Sequence, residues 1–220
     1  MGKLIVLEGT DGSGKATQTA ALLERLRREG VDCRKIEFPR YQEESSALIR
    51  EYLRGDFGEK PSDVNAFAAS TFYAVDRYAS YQQDWGGYYR QGGLVIADRY
   101  TTSNAVHQGS KLQGKERTDF FEWLFDYEYR LLGLPKPDLV IYLDVPVDQT
   151  EQNMHRREIQ TGASADIHER DDGYLRACRV AAGEAAERFG WTKIACTKNG
   201  VMRSIDEIHE DVYRAVKEVL

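Results

Sequence analysis

Apolar runs about five residues long alternate along the chain with stretches of helical spacing. Three runs, Lys3–Leu7, Leu94–Ala97 and Leu139–Leu143, are almost unbroken, as strands buried on both faces are. Cys33–Glu37 and Lys193–Cys196 complete five predicted strands, more by position than by pattern. Between them lie amphipathic stretches such as Thr17–Arg28, where Ala20, Leu23 and Leu26 share one side. This alternation predicts an α/β fold with a parallel sheet covered by helices on both faces. A last helix is signalled by Ser204 and Glu207, which fit a capping box. Its stripe of Ile205, Ile208, Val212, Ala215 and Val219 is expected to pack on the core. Phe120–Tyr129 also has helical spacing, with Phe121, Leu124 and Phe125 adjacent; core packing is the first reading and a subunit contact the second.

Composition narrows the class. At 220 residues, 41% of them hydrophobic, the chain can bury one good-sized core, and no segment reads as a linker, so residues 1–220 are expected to form a single domain. A formal charge of −6 argues against a broad nucleic-acid surface, which needs a basic face. Cys33, Cys178 and Cys196 are far apart and odd in number, so neither a disulfide framework nor a zinc site is expected. The apolar start is too short for a secretory signal, and no stretch approaches the roughly 20 apolar residues that span a bilayer. A cytoplasmic protein with reduced thiols and no membrane partner is the expectation.

The chemistry is concentrated after the first strand. Gly9, Thr10, Asp11, Gly12, Ser13, Gly14 and Lys15 lead from that strand into a predicted helix, the context a phosphate-binding loop requires. Glycines let backbone N–H groups turn inward, the helix terminus adds positive charge, and Lys15 can reach the outer phosphates. One position departs from the pattern. After the lysine a Ser or Thr hydroxyl normally meets magnesium, but here stands Ala16, with a hydroxyl one place later on Thr17. A metal would then rest on nucleotide oxygens, water and carboxylates, with Asp11 and Asp98 as candidates. The alternative is a site that binds nucleotide and catalyses poorly.

The segment from Glu8 to Gln18 resembles the opening of the thymidylate kinases, and further signatures follow in that family's order. They are Phe38-Pro39-Arg40-Tyr41, Tyr73-Ala74-Val75-Asp76-Arg77, Asp98-Arg99-Tyr100 with Ser103-Asn104, and Pro137-Asp138-Leu139 through Pro146. The resemblance implies a P-loop NTPase three-layer sandwich with a five-stranded parallel sheet and a lid at about 154–176. It implies ATP and magnesium as cofactors, dTMP as acceptor, and a homodimer. Residue by residue, Gly9 to Thr17 would hold ATP. Phe38, Pro39 and Arg40 would form part of the acceptor site, with Arg40 able to fork onto a phosphate. Tyr73 would stack on thymine and Arg77 hydrogen-bond it, the i,i+4 spacing placing both on one helix face. Arg99 would clamp the acceptor phosphate, and Ser103 and Asn104 would read the base edge. His107 stands where related enzymes carry an aromatic residue near the sugar. Because the loop has Gly12 where some members carry a catalytic arginine, the sequence resembles the lid-arginine type, with Arg156, Arg157 or Arg170 as donor.

A phosphate monoester is already a nucleophilic anion at neutral pH, with a second pKa of ~6, so no catalytic base is required. Lys15, Arg99, Arg40, magnesium and a lid arginine would instead offset that charge, with Asp11 beside them as a catalytic and metal-holding candidate. Two other readings remain at this stage: a kinase for another monophosphate or deoxynucleoside, and a nucleotide-binding protein that has lost its chemistry. A GTPase switch is excluded, since Thr197-Lys198-Asn199-Gly200 lacks the spacing and the acid of a guanine-reading stretch.

Overall fold

The computed structural model describes residues 1–161 and 172–220, without the side chains of residues 155–161 and 172. The first half runs β1 (Lys3–Glu8), α1 (Lys15–Arg28), β2 (Cys33–Glu37), α2 (Ala47–Arg54), α3 (Ala66–Ser80) and α4 (Gly86–Arg90). It continues with β3 (Leu94–Asp98), α5 (Thr101–His107), α6 (Gly114–Phe125), β4 (Leu139–Asp144) and α7 (Val147–Thr161). The last part holds α8 (Asp172–Phe189), β5 (Thr192–Ala195), a short hairpin of β6 (Thr197–Lys198) and β7 (Val201–Met202), and α9 (Ile205–Lys217). A π-helical turn, Tyr81–Trp85, joins α3 to α4, and another, Asp126–Leu131, extends α6.

Five strands form one parallel sheet in the order β2-β3-β1-β4-β5. Alternate residues of the three central strands enter two separate cores, which explains why those runs are apolar throughout. Leu4, Val6, Val95, Ala97, Val140 and Tyr142 face a cluster completed by aromatic residues such as Trp85, Phe120 and Phe121. Ile5, Leu7, Ile96, Ile141 and Leu143 face one completed by Leu22, Leu26, Val212 and Val216.

The expected strands stop a residue early at three places. Hydrogen bonding carries β1, β3 and β4 on to Glu8, Asp98 and Asp144, so each central strand ends in an acid at the carboxyl edge of the sheet. Reading by hydropathy ends a strand at its first charge, whereas the ladder does not. The last sheet strand is displaced by one residue, to Thr192–Ala195.

The capping box of α9 is present, with Ser204 Oγ accepting from the Glu207 amide at 3.2 Å. Its buried line is Ile208, Val212 and Val216 rather than the full expected stripe. Ile205 is 57% exposed because it opens the helix at the rim of the cavity described below. Ala20 of α1 is exposed too; Leu22, Leu23 and Leu26 carry that helix's packing. Phe121 and Leu124 are buried with Phe120, as expected for core positions, whereas Phe125 is only partly buried against the same cluster.

Candidate active site

The phosphate loop leaves β1 at Glu8 and enters α1 at Lys15. Gly12 and Gly14 have φ of 76° and 86°, the left-handed region where glycine is the ready choice. At Gly12 space is short as well, for a Cβ there would stand 2.4 Å from the Thr150 carbonyl oxygen of α7. That close approach leaves no room for the arginine some family members are expected to carry here. Asn153, one turn further along α7, donates to the Gly12 carbonyl at 2.9 Å.

Lys15 is buried, and its ammonium donates to the carbonyls of Gly9 at 2.7 Å and Thr10 at 2.8 Å. Burial pushes its pKa down to about 8, with the Arg99 guanidinium adding to the shift and Asp11, Glu8 and Asp98 opposing it. Around this loop lies a cavity of ≈ 900 Å³. Loop residues from Asp11 on, Ala16, Thr17, Asp98 and Arg99 line it on one side, with Asn153 of α7, Gly200–Arg203 around the hairpin and Ile205 elsewhere on its wall. The volume suits a nucleoside triphosphate.

Arg99 is the hub of the adjoining wall. Its backbone has φ 66°, and its amide donates to the Leu7 carbonyl at 3.2 Å, tying it to β1. Nη2 donates to Asp11 Oδ1. Nη1 lies 3.0 Å from His107 Nε2, 3.4 Å from Ser103 Oγ and 3.7 Å from Glu8 Oε1. Burial opposes the charge, but Asp11, Glu8 and Asp98 outweigh it and hold the guanidinium protonated well above its usual range. Glu8 is fully buried and accepts from the Gly9 amide at 2.9 Å and from the Thr102 and Ser103 hydroxyls at 2.8 Å each. It therefore ties the loop to the start of α5.

Two more arginines are held by acids. Arg40 follows a cis Phe38–Pro39 bond, and its Nε donates to Asp76 Oδ1 at 3.1 Å while its amide donates to Oδ2 at 2.9 Å. Phe38 is buried and packs toward Tyr100, with ring centroids 6.1 Å apart. Arg77 is 1% exposed and forks onto Glu128, Nη2 to Oε1 at 2.5 Å and Nε to Oε2 at 2.6 Å. Asn104, also buried, donates to the Ser70 carbonyl at 3.2 Å, joining α5 to α3. Tyr73 sits half-buried on α3 beside Tyr52 and Phe72.

A strand-loop-helix phosphate cradle, an acid ending β3 and an arginine directly behind it make a phosphotransferase site, and comparison with known proteins says which kind. Residues 7–212 match the family model described as Thymidylate kinase. The chain belongs to the thymidylate kinase family. It is 33% identical over 190 residues to a thymidylate kinase of Mycobacterium tuberculosis, covering 86% of this chain and 87% of that one. It is 30% identical over 221 residues to a probable thymidylate kinase of Pyrococcus abyssi, covering 100% of this chain and 98% of the relative. The solved thymidylate kinase of Candida albicans shares the fold, with a TM-score of 0.72 at 20% identity over 99% of this chain and 92% of that one.

Of the residues expected in a thymidylate kinase site, Asp11, Lys15, Asp98, Arg99, Ser103 and His107 come together at the carboxyl edge of the sheet. Asp98 lines the cavity, and its carboxylate has no hydrogen-bonded or ion-paired partner among the described residues, whereas Asp11 engages Arg99. No group of three or more His, Cys, Asp or Glu suited to a metal occurs among the described residues. Arg170 lies outside the described residues, as do the side chains of Arg156 and Arg157 and most of the expected lid. Sequence reasoning gave no role to Glu8, Glu128 or Asn153, and quoted Asp76 without seeing that it holds Arg40. An acid at the end of an apolar strand was the available signal for Glu8; the others are recognised only by their partners.

Proposed function

We propose that this chain transfers the γ-phosphoryl group of ATP to dTMP, giving dTDP, through a site in which Arg99 separates and aligns the two polyanions. The observation that carries the reading is the position of Arg99, between the phosphate loop through Asp11 and the α5 wall through Ser103 and His107. The donor occupies the 900 Å³ cavity, its phosphates on the amides of Gly9 to Thr17 and its base toward Gly200–Arg203. Lys15 exchanges its two loop carbonyls for phosphate oxygens. Arg99 clamps the acceptor phosphate, which attacks in line as an anion without a base. Arg40 neutralises the acceptor phosphate further, while Tyr73, Arg77, Ser103 and Asn104 form the thymine pocket with Phe38 and Pro39 behind it. The lid arginines Arg157 and Arg170 supply the last positive charge.

Magnesium fits the donor set in one respect, since Asp98 offers a hard oxygen ligand at the cavity with no competing partner among the described residues. Bound with the nucleotide it would neutralise phosphate charge, and Ala16 leaves that coordination to Asp98, water and phosphate oxygens.

The protein works as a cytoplasmic homodimer in this reading. Phe67, Val75 and Tyr78 on α3 are each more than two-fifths exposed and fall at helical spacing, which supports a second copy covering them. No helix among the described residues is long and apolar enough to cross a membrane. The test is ATP- and magnesium-dependent ADP formation with dTMP, dUMP, UMP, dCMP and AMP offered separately. Turnover with dTMP far above dCMP and AMP is expected. ATP binding without turnover on any acceptor would replace the reading with a nucleotide-binding protein that has lost its chemistry.

A further inference from the structure

His107 occupies the position expected to face the sugar, yet its ring is engaged with Arg99. Arginine can only donate, and Arg99 stays charged, so the Nη1 to Nε2 contact of 3.0 Å requires Nε2 to accept. The imidazole is therefore neutral, with its proton on Nδ1. That side of the ring fits: Nδ1 lies 3.4 Å from Tyr174 Oη and 3.7 Å from Cys178 Sγ. Tyr174 Oη spends its own proton on the His107 carbonyl at 2.9 Å, which leaves its lone pairs for the Nδ1–H. Burial pushes the Cys178 thiol up to about 12, so it adds no negative charge there. His107 is 7% exposed, and Ser110 Oγ also donates to its backbone carbonyl at 2.7 Å.

These contacts select one face of the guanidinium. His107 and Ser103 take Nη1, and Asp11 takes one proton of Nη2. Nε donates to no described residue and Nη2 keeps one N–H beyond its bond to Asp11, so the Nε/Nη2 edge is the one left to grip a phosphate side-on. We infer that His107 is a positioning residue which, as a neutral hydrogen-bond acceptor, turns the Nε/Nη2 edge of Arg99 toward the acceptor phosphate instead of contacting the sugar. The inference rests on Arg99 being the acceptor-phosphate clamp. A phenylalanine would fill the same space without an acceptor, and a glutamine carries an amide oxygen at about the reach of Nε2.

Binding of dTMP and of thymidine, which lacks the phosphate, to the full-length wild type, His107→Phe and His107→Gln tests this by calorimetry, with Tm recorded for each. His107→Phe is expected to weaken dTMP about tenfold or more while leaving thymidine within about twofold. His107→Gln is expected to recover most of that loss. Equal weakening of both ligands by His107→Phe would overturn the inference in favour of direct nucleoside contact. Equal losses in the two variants, or no loss in His107→Phe, would overturn it as well. A wild type that binds dTMP no better than thymidine would instead remove the clamp role of Arg99, a failure visible before any variant is made.

Discussion

Replacing Glu128 by Gln removes one charge from the interior and changes little else in shape. Both partners of the Arg77–Glu128 pair are buried, at 1% and 0% side-chain exposure, so solvent screening does not discount their interaction. Two short N–H···O bonds join them, and Thr101 Oγ1 adds a third bond to the carboxylate at 2.7 Å. Burial opposes the charge on Arg77, and Glu128 more than offsets it. In Glu128→Gln the guanidinium stays charged without a counter-charge, and one acceptor oxygen becomes an NH₂ facing N–H donors. Breaking a buried pair from one side costs about 3–5 kcal/mol. At about 2–4 °C per kcal/mol for a chain of this size, Tm should fall by roughly 6–20 °C. Urea unfolding and calorimetry at neutral pH read both quantities. The double variant Arg77→Met, Glu128→Met should recover much of the stability while losing thymine recognition, because well-packed apolar pairs replace buried ion pairs at little cost. A loss below about 1 kcal/mol in Glu128→Gln would refute the claim that this pair fixes Arg77 energetically.

Lys15 should couple ATP binding to proton uptake. With its pKa near 8 in the free protein, about three-quarters of the sites are neutral at pH 8.5, and phosphate contact restores the charge. Calorimetry in buffers of different ionisation enthalpy should show uptake of up to about 0.7 proton there and almost none at pH 6.5. The sign for stability follows from the lowered pKa: between about 8 and 10.5 the unfolded chain holds a proton the folded one has lost, so this group's contribution favours the fold as pH rises through that window. At the proposed magnesium site, Asp98→Asn should raise the magnesium concentration for half-maximal rate by about tenfold, and Ala16→Thr should lower it, read from rate against free magnesium. Gly12→Ala should destabilise by about 1–3 kcal/mol in urea unfolding, since both its φ and the Thr150 carbonyl resist a Cβ.

The sheet was legible because burial on both faces writes itself as unbroken apolar runs, and the loop was legible because phosphate cradling needs glycines at set places. Strand ends were misjudged by a residue at Glu8, Asp98 and Asp144, where an acid continues the hydrogen-bonded ladder. Helix faces were read less well where an apolar side chain serves a cavity, as Ile205 does, than where it serves the core. His107 was placed at the site, but hydropathy and spacing carry no information on which ring nitrogen accepts or from whom.

The pairing of the arginines was beyond the sequence for a reason of distance along the chain. Arg40 is held from 36 positions away by Asp76, Arg77 from 51 by Glu128, and Arg99 from 88 by Asp11. Each pair looks wasteful in a site that must attract two polyanions, since every acid cancels a charge the substrates would welcome. Orientation accounts for the arrangement better than net charge does. A free arginine must be ordered as it binds, whereas one already forked onto an acid offers its remaining N–H groups in a fixed direction, so less entropy is lost when phosphate or base arrives. The chain as a whole carries −6, so attraction at long range is not what the fold supplies. Close-range geometry is, and on this argument the acids that hold the arginines matter to phosphoryl transfer as much as the arginines do.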